Sequence, residues 1–188
     1  MNIKDILNKI GATEAPLARQ LLMTGLITRL LEDRGKPAPV LIGGLALSYY
    51  SREVYFTADI DLAYADREAL DAVLRELGFV KSGRYWVHEG LDMAVEAPAS
   101  ALPGEEAPRE SVELDEGLRC VIIGLEDLII DRLNACKHWN SEVDCETTNL
   151  LVAHYREELD WAYLERKAAL PENDTSAELR ALKEGNSP

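Results

Sequence analysis

The sequence predicts an α/β (α+β) domain, a small mixed β-sheet flanked by helices, followed by a helical C-terminal part. Three observations carry this. Between Glu14 and Asp33, Leu17, Leu21, Leu22, Ile27, Leu30 and Leu31 form a broad apolar stripe at helical spacing, closed by Gly35. Pro39 to Ile42 is a short apolar run that meets Gly43-Gly44 and passes into a second apolar stretch, Leu45 to Tyr50, as a strand does when it turns into a helix. Residues 57–62 and 84–96 alternate polar and apolar side chains with the period of a half-buried strand.

Element by element, residues 2–10 predict a short first helix, and Glu14 to Asp33 the second. The strand 39–42 and its helix follow, then the strand Thr57 to Leu62. Asp66 caps a helix running to Leu77, with Leu70, Val73, Leu74 and Leu77 on one face and Gly78 as its stop. Arg84 to His88, a Glu89-Gly90 turn and Leu91 to Glu96 predict a hairpin. The three prolines and charges of residues 97–110 read as a loop. A second hairpin pairs 112–114 with 118–122 through a turn at 115–117. Helices are expected over 125–135, 144–155 and 158–169, and the polar segment 171–188 reads as a disordered tail. The organisation expected is therefore an α/β domain over 1–123, a helical part over 124–170 packed on it, and the tail.

The chemistry concentrates in two places. In an extended chain Asp59 and Asp61 point to one face while Ile60 and Leu62 point to the other. Two adjacent carboxylates repel, and hard divalent cations that prefer carboxylate oxygens supplemented by substrate phosphates would reconcile them. Gly43 and Gly44, between strand and helix, would let backbone approach such phosphates at the positive end of the helix. On the second strand of the first hairpin Asp92, Ala94 and Glu96 share a face, so Asp92 is the expected third carboxylate, with Glu96 next.

Together these residues resemble the nucleotidyltransferase fold superfamily, the DNA polymerase beta-like group, whose signature is a hydrophobic strand, Gly-Gly or Gly-Ser, a short helix and Asp-x-Asp on the next strand. Ile42-Gly43-Gly44-Leu45-Ala46-Leu47, then Arg52, then Thr57-Ala58-Asp59-Ile60-Asp61-Leu62 is most similar to small, uncharacterised bacterial nucleotidyltransferases and to abortive-infection-type nucleotidyltransferase toxins. The resemblance spans about residues 38–96 and extends more thinly over 118–165. Many members have Ser or Thr at or directly after the second glycine, where this chain has Leu45. The resemblance implies Asp59, Asp61 and Asp92 as catalytic metal ligands for Mg²⁺ (or Mn²⁺), two ions about 3.5–4 Å apart. It also implies Gly43, Gly44, Arg52 and Thr57 as nucleotide-binding residues. The implied reaction moves a nucleoside monophosphate from a nucleoside triphosphate to an acceptor hydroxyl on protein, RNA or a small molecule, in a toxin of a toxin–antitoxin pair with an antitoxin as protein partner. The alternative is a non-catalytic nucleotide-binding or protein-interaction module that retains the fold.

Composition narrows the partners. At 188 residues the chain is long enough for one domain with a real core, and 47% hydrophobic residues exclude wholesale disorder. A net charge of −14 disfavours broad nucleic-acid binding, while a nucleotide carried with its metal remains compatible. No membrane-length apolar run occurs and the N-terminus lacks a secretory pattern, so a cytoplasmic location is expected. Cys120, Cys136 and Cys145, odd in number and without a Cys-x-x-Cys pair, are expected as free thiols. Arg132 and Lys137 read as a solvated helix face, His88, His138 and His154 as neutral bystanders, and Trp86, Trp139 and Trp161 as packing anchors.

Overall fold

The computed structural model describes residues 2–102 and 104–185. Helix α1 (Ile3–Ala12) opens on Asn2, whose side chain accepts from the Lys4 N–H at 3.2 Å. Helix α2 (Pro16–Glu32) begins with proline in its first turn, where no intrahelical donor is lost. Strand β1 (Val40–Ile42) runs straight into α3 (Gly43–Tyr50), and β2 (Asp59–Ala63) follows. Asp66 caps α4 (Arg67–Glu76), accepting from the Ala69 N–H at 3.0 Å as the sequence predicts.

Strands β3 (Val80–Ser82), β4 (Tyr85–His88) and β5 (Met93–Ala99) form a meander, and β6 (Glu110–Glu113) and β7 (Arg119–Ile122) the second hairpin. All seven strands join one mixed sheet in the order β3-β4-β5-β2-β1-β7-β6. The pairs β1–β7 and β2–β5 are parallel and the other four antiparallel. Part of the predicted 97–110 loop is therefore strand, because β5 runs on through Ala97–Ala99 beside β2.

Among the described residues four helices follow: α5 (Leu125–Trp139), α6 (Glu142–Tyr155), α7 (Trp161–Ala168) and α8 (Ser176–Lys183). Leu128, Ile129 and Leu133 of α5, Leu151 and Val152 of α6 and Leu164 of α7 belong to the same apolar cluster as Ile60, Leu62 and Val95 of the sheet. The segment from 171 to 185 corrects the expectation of a disordered tail. Leu179 and Leu182, three positions apart on one face of α8, are buried in that cluster, and this apolar pair gives an otherwise polar helix something to dock with. Residues 186–188 of the predicted tail lie outside the described residues.

The cysteines bring a second correction. Cys136 on α5 and Cys145 on α6 form a disulfide, and Cys120 is buried and free. The two bonded residues are nine apart in sequence, and the helix reversal through Asn140 and Ser141 brings their Cα atoms to 4.7 Å. Among the described residues no helix is long and apolar enough to cross a membrane.

Candidate active site

The sheet register assembles the site. Ile42, the last residue of β1, pairs with Asp61 of β2, so the turn that follows Ile42 lies beside the Asp61 side chain. Gly43 adopts a left-handed backbone (φ 64°) that only glycine takes freely. A Cβ there would overlap the Asp61 carboxylate outright and stand 2.9 Å from its Cβ and Cγ. At Gly44 a Cβ would meet the Thr57 Cβ and Oγ1 at 3.0 Å. The Gly44 N–H donates to the Asp61 carboxylate at the positive end of α3. Both glycines therefore make room first for this chain's own side chains, an Asp and a Thr.

The parallel register of β2 and β5 sets Asp59 opposite Ala94 and Asp61 opposite Glu96. Residues directly paired in a parallel sheet share a face, so Asp61 and Glu96 point the same way, and Asp59 joins them at period two. Ile60, Met93 and Val95 are buried on the other face. Burial holds the Asp61 carboxyl above its usual range, and the charges of Glu96 and Asp59 push it further up; the Gly44 N–H and Arg132 pull against them. Arg84, just before β4, places Nε 3.4 Å from Glu96 Oε1.

Asp92, the expected third carboxylate, is not in this group. A single 3₁₀ turn occupies Glu89–Leu91, held by the Leu91 N–H donating to His88 Nδ1 at 3.0 Å and the Asp92 N–H to the Glu89 carbonyl at 3.2 Å. The turn leaves Asp92 exposed with a left-handed backbone (φ 48°), and the strand starts only at Met93. The parity argument placed Asp92 and Glu96 on one face correctly for a continuous strand, but the turn uses up the first residues, and it is Glu96 that pairs with Asp61.

Thr57 lies in the lead-in to β2, two residues before the strand begins rather than at its start. Its Oγ1 accepts from the Asp59 N–H at 3.4 Å and its carbonyl from Gln20 Nε2 at 3.1 Å. Gln20 is a buried amide on α2 that the sequence reading missed; its signal was a polar residue inside the apolar stripe. Arg52 does not reach the glycine turn. It is exposed just past the far end of α3, about 12 Å of helix away. There it lines a separate cleft of about 670 Å³ with Tyr49, Glu110, Glu126 and Tyr155. Arg132, read from sequence as a solvated cation, is largely buried, with Nη1 2.9 Å from Asp144 Oδ1.

Asp59, Asp61 and Glu96 offer only hard oxygen donors, which suits Mg²⁺ or Mn²⁺ in kind. Among the described residues, no three His, Cys, Asp or Glu side chains converge closely enough to form a metal cage by themselves. The set therefore fits a cation that takes one or two carboxylates and completes its shell from elsewhere, as Mg²⁺ does with substrate phosphates and water.

No family model matches the chain. No curated protein matches it either. Among solved structures, the chain is similar to the solution structure of the antibiotic-resistance factor ANT(2'')-Ia, with 23% identity over 82% of this chain and 96% of that one and a TM-score of 0.47.

Proposed function

We propose that the chain is a divalent-metal-dependent nucleotidyltransferase, moving a nucleoside monophosphate from a nucleoside triphosphate to an acceptor hydroxyl. One observation carries the reading. Three carboxylates, Asp59, Asp61 and Glu96, share a sheet face beside a strand-to-helix glycine turn whose first glycine has no room for a side chain. Two like-charged strands with a half-buried aspartate at their junction cost stability in the free protein, and a cation recovers it.

Asp59 and Asp61 would hold Mg²⁺ or Mn²⁺, completed by substrate phosphates and water, with Glu96 beside them on the same face. When bound, the metal supplies neutralisation of phosphate charge and a lowered pKa for an acceptor hydroxyl. The backbone of Gly43 and Gly44 orients the phosphates at the start of α3. Glu96 accepts the acceptor's proton as its oxygen attacks the α-phosphorus and pyrophosphate leaves, and Arg84 aims the Glu96 carboxylate. Thr57, packed on Gly44, keeps the lead-in to Asp59 in place. The net charge of −14 favours a protein or small-molecule acceptor over RNA. A toxin role, silenced by an antitoxin-type protein partner, belongs to the same reading.

The test is transfer of label from each α-labelled nucleoside triphosphate, with Mg²⁺ or Mn²⁺, to a component of a cell extract. Transfer that disappears in Glu96→Gln and Asp61→Asn supports the reading. A wild-type protein that binds nucleotide yet labels nothing is a non-catalytic nucleotide-binding module.

A further inference from the structure

Helices α5 and α6 form a hairpin closed by two ties. One is the Cys136–Cys145 disulfide, and the other the Arg132–Asp144 ion pair, whose side chains are only 19% and 16% exposed. Cys136 lies one helical turn beyond Arg132, and Cys145 directly follows Asp144, so the ties stack one above the other near the reversal.

The Arg132 guanidinium has two edges in different situations. Nη1 is anchored on the buried Asp144. Nε, at 3.1 Å, and Nη2 fork onto Asp131, a side chain 53% exposed and adjacent in sequence. Because the Asp131 side chain is half exposed, this second pairing reaches solvent and is open to exchange. A forked guanidinium edge matches a phosphate as well as a carboxylate. Helix α5 also packs against α3, the helix that starts at the glycine turn, and the Arg132 charge is felt at Asp61.

We propose that Arg132 binds the nucleotide's phosphates through its Nε–Nη2 edge, displacing Asp131, and that the Cys136–Cys145 bridge holds Asp144 and hence Arg132 in position, so that nucleotide affinity follows the thiol–disulfide state of the α5–α6 hairpin. This rests on the nucleotidyltransferase reading of the neighbouring carboxylates. The redox partner is a dithiol reductant. Its thiolate attacks Sγ of Cys145, the less buried of the pair, breaking the S–S bond, forming a mixed disulfide and releasing the Cys136 thiolate. The reductant's second thiol then displaces Cys145. Two electrons and two protons pass to the protein, and the reductant leaves as its own disulfide.

Binding of Mg²⁺–nucleoside triphosphate and of inorganic tripolyphosphate is measured by calorimetry on oxidised protein and after dithiothreitol, with circular dichroism reporting the fold. Arg132→Gln is expected to weaken both ligands at least tenfold, since the charge-assisted hydrogen bonds to phosphate are lost. Because that change strands Asp144, the neutral pair Arg132→Gln/Asp144→Asn is measured beside it and is expected to lose as much. Reduction is expected to weaken binding about threefold or more, and Cys136→Ser/Cys145→Ser to bind like the reduced protein with or without reductant. A folded Arg132→Gln/Asp144→Asn protein that binds tripolyphosphate like wild type overturns the assignment of Arg132, as does a wild type that binds no tripolyphosphate. Equal affinities in oxidised and reduced protein overturn the role of the bridge. Loss of label transfer in Glu96→Gln is independent of all these outcomes, so the proposal can fail while the nucleotidyltransferase reading stands.

Discussion

The substitution Gly43→Ala tests whether the glycine turn and Asp61 form one packed unit. Two costs are separable. An alanine held at φ 64° carries a left-handed penalty of roughly 1–2 kcal/mol whatever its surroundings. Its Cβ also overlaps the Asp61 carboxylate, and forcing extra volume into a packed site costs about 1–3 kcal/mol. The expected loss is therefore about 2–5 kcal/mol. With a urea slope of about 2 kcal/mol per molar, the unfolding midpoint should fall by about 1–2.5 M. In an Asp61→Gly background the overlap has no partner, because the carboxylate, Cγ and Cβ are all gone. There Gly43→Ala should cost only the backbone term, about 1–2 kcal/mol, leaving a coupling of about 1–3 kcal/mol in the double-mutant cycle. Urea denaturation of the four proteins, followed by circular dichroism without metal or nucleotide, measures it. Equal costs of Gly43→Ala in both backgrounds would refute the reasoning, since Asp61 would then not occupy the space the glycine leaves.

Asp61→Asn should stabilise the metal-free protein at pH 7. A carboxyl whose folded pKa is raised contributes stability that is full below its unfolded pKa of about 3.9 and lost as pH rises through the folded value, so the advantage of the Asn variant should shrink towards pH 4; a less stable variant at pH 7 contradicts the burial argument. In the transfer assay Glu96→Gln should lower the rate by at least about 100-fold, the contribution of a general base, while Asp92→Asn keeps it within about twofold; the reverse pattern restores Asp92 to the site. Leu179→Ala should cost about 2–5 kcal/mol, and a change indistinguishable from zero in urea unfolding would show that α8 is not part of the core.

Much of the fold was legible where a local rule decides. The Asp66 cap, the helical stripe of α2 and the run of β1 into α3 through Gly43-Gly44 each follow from two or three neighbouring residues. What local rules cannot supply is which distant elements meet. The strand order that puts β2 between β1 and β5 joins segments tens of residues apart, and nothing in any one strand specifies it. The disulfide was missed because a Cys-x-x-Cys test looks along the chain, whereas Cys136 and Cys145 meet across a helix reversal. The C-terminal helix was missed because composition averaged over 171–188 hides a pair of leucines on one face.

The candidate site shows the same division on a smaller scale. Alternation along a strand assigns a face, and it placed Asp59 and Asp61 together and grouped Asp92 with Glu96 without any knowledge of neighbours. Choosing between Asp92 and Glu96 required two non-local facts, where the strand begins and which residues of β2 it pairs with. A two-residue turn at Glu89-Gly90 would have put Asp92 in the sheet; instead a 3₁₀ turn capped by the His88 imidazole precedes a strand that starts at Met93, and within that strand Glu96 pairs with Asp61. The hydrogen bond from the Leu91 N–H to His88 Nδ1 closes the turn that precedes the strand. Replacing His88 with phenylalanine keeps the ring against Phe79 while removing that acceptor. The Leu91 N–H then loses its partner, and the 3₁₀ turn its cap. If the cap sets the start of β5, amide exchange of Leu91 and Asp92 in the His88→Phe protein should be faster than in wild type while that of Val95 is unchanged; equal exchange at Leu91 would show that the strand start is fixed elsewhere.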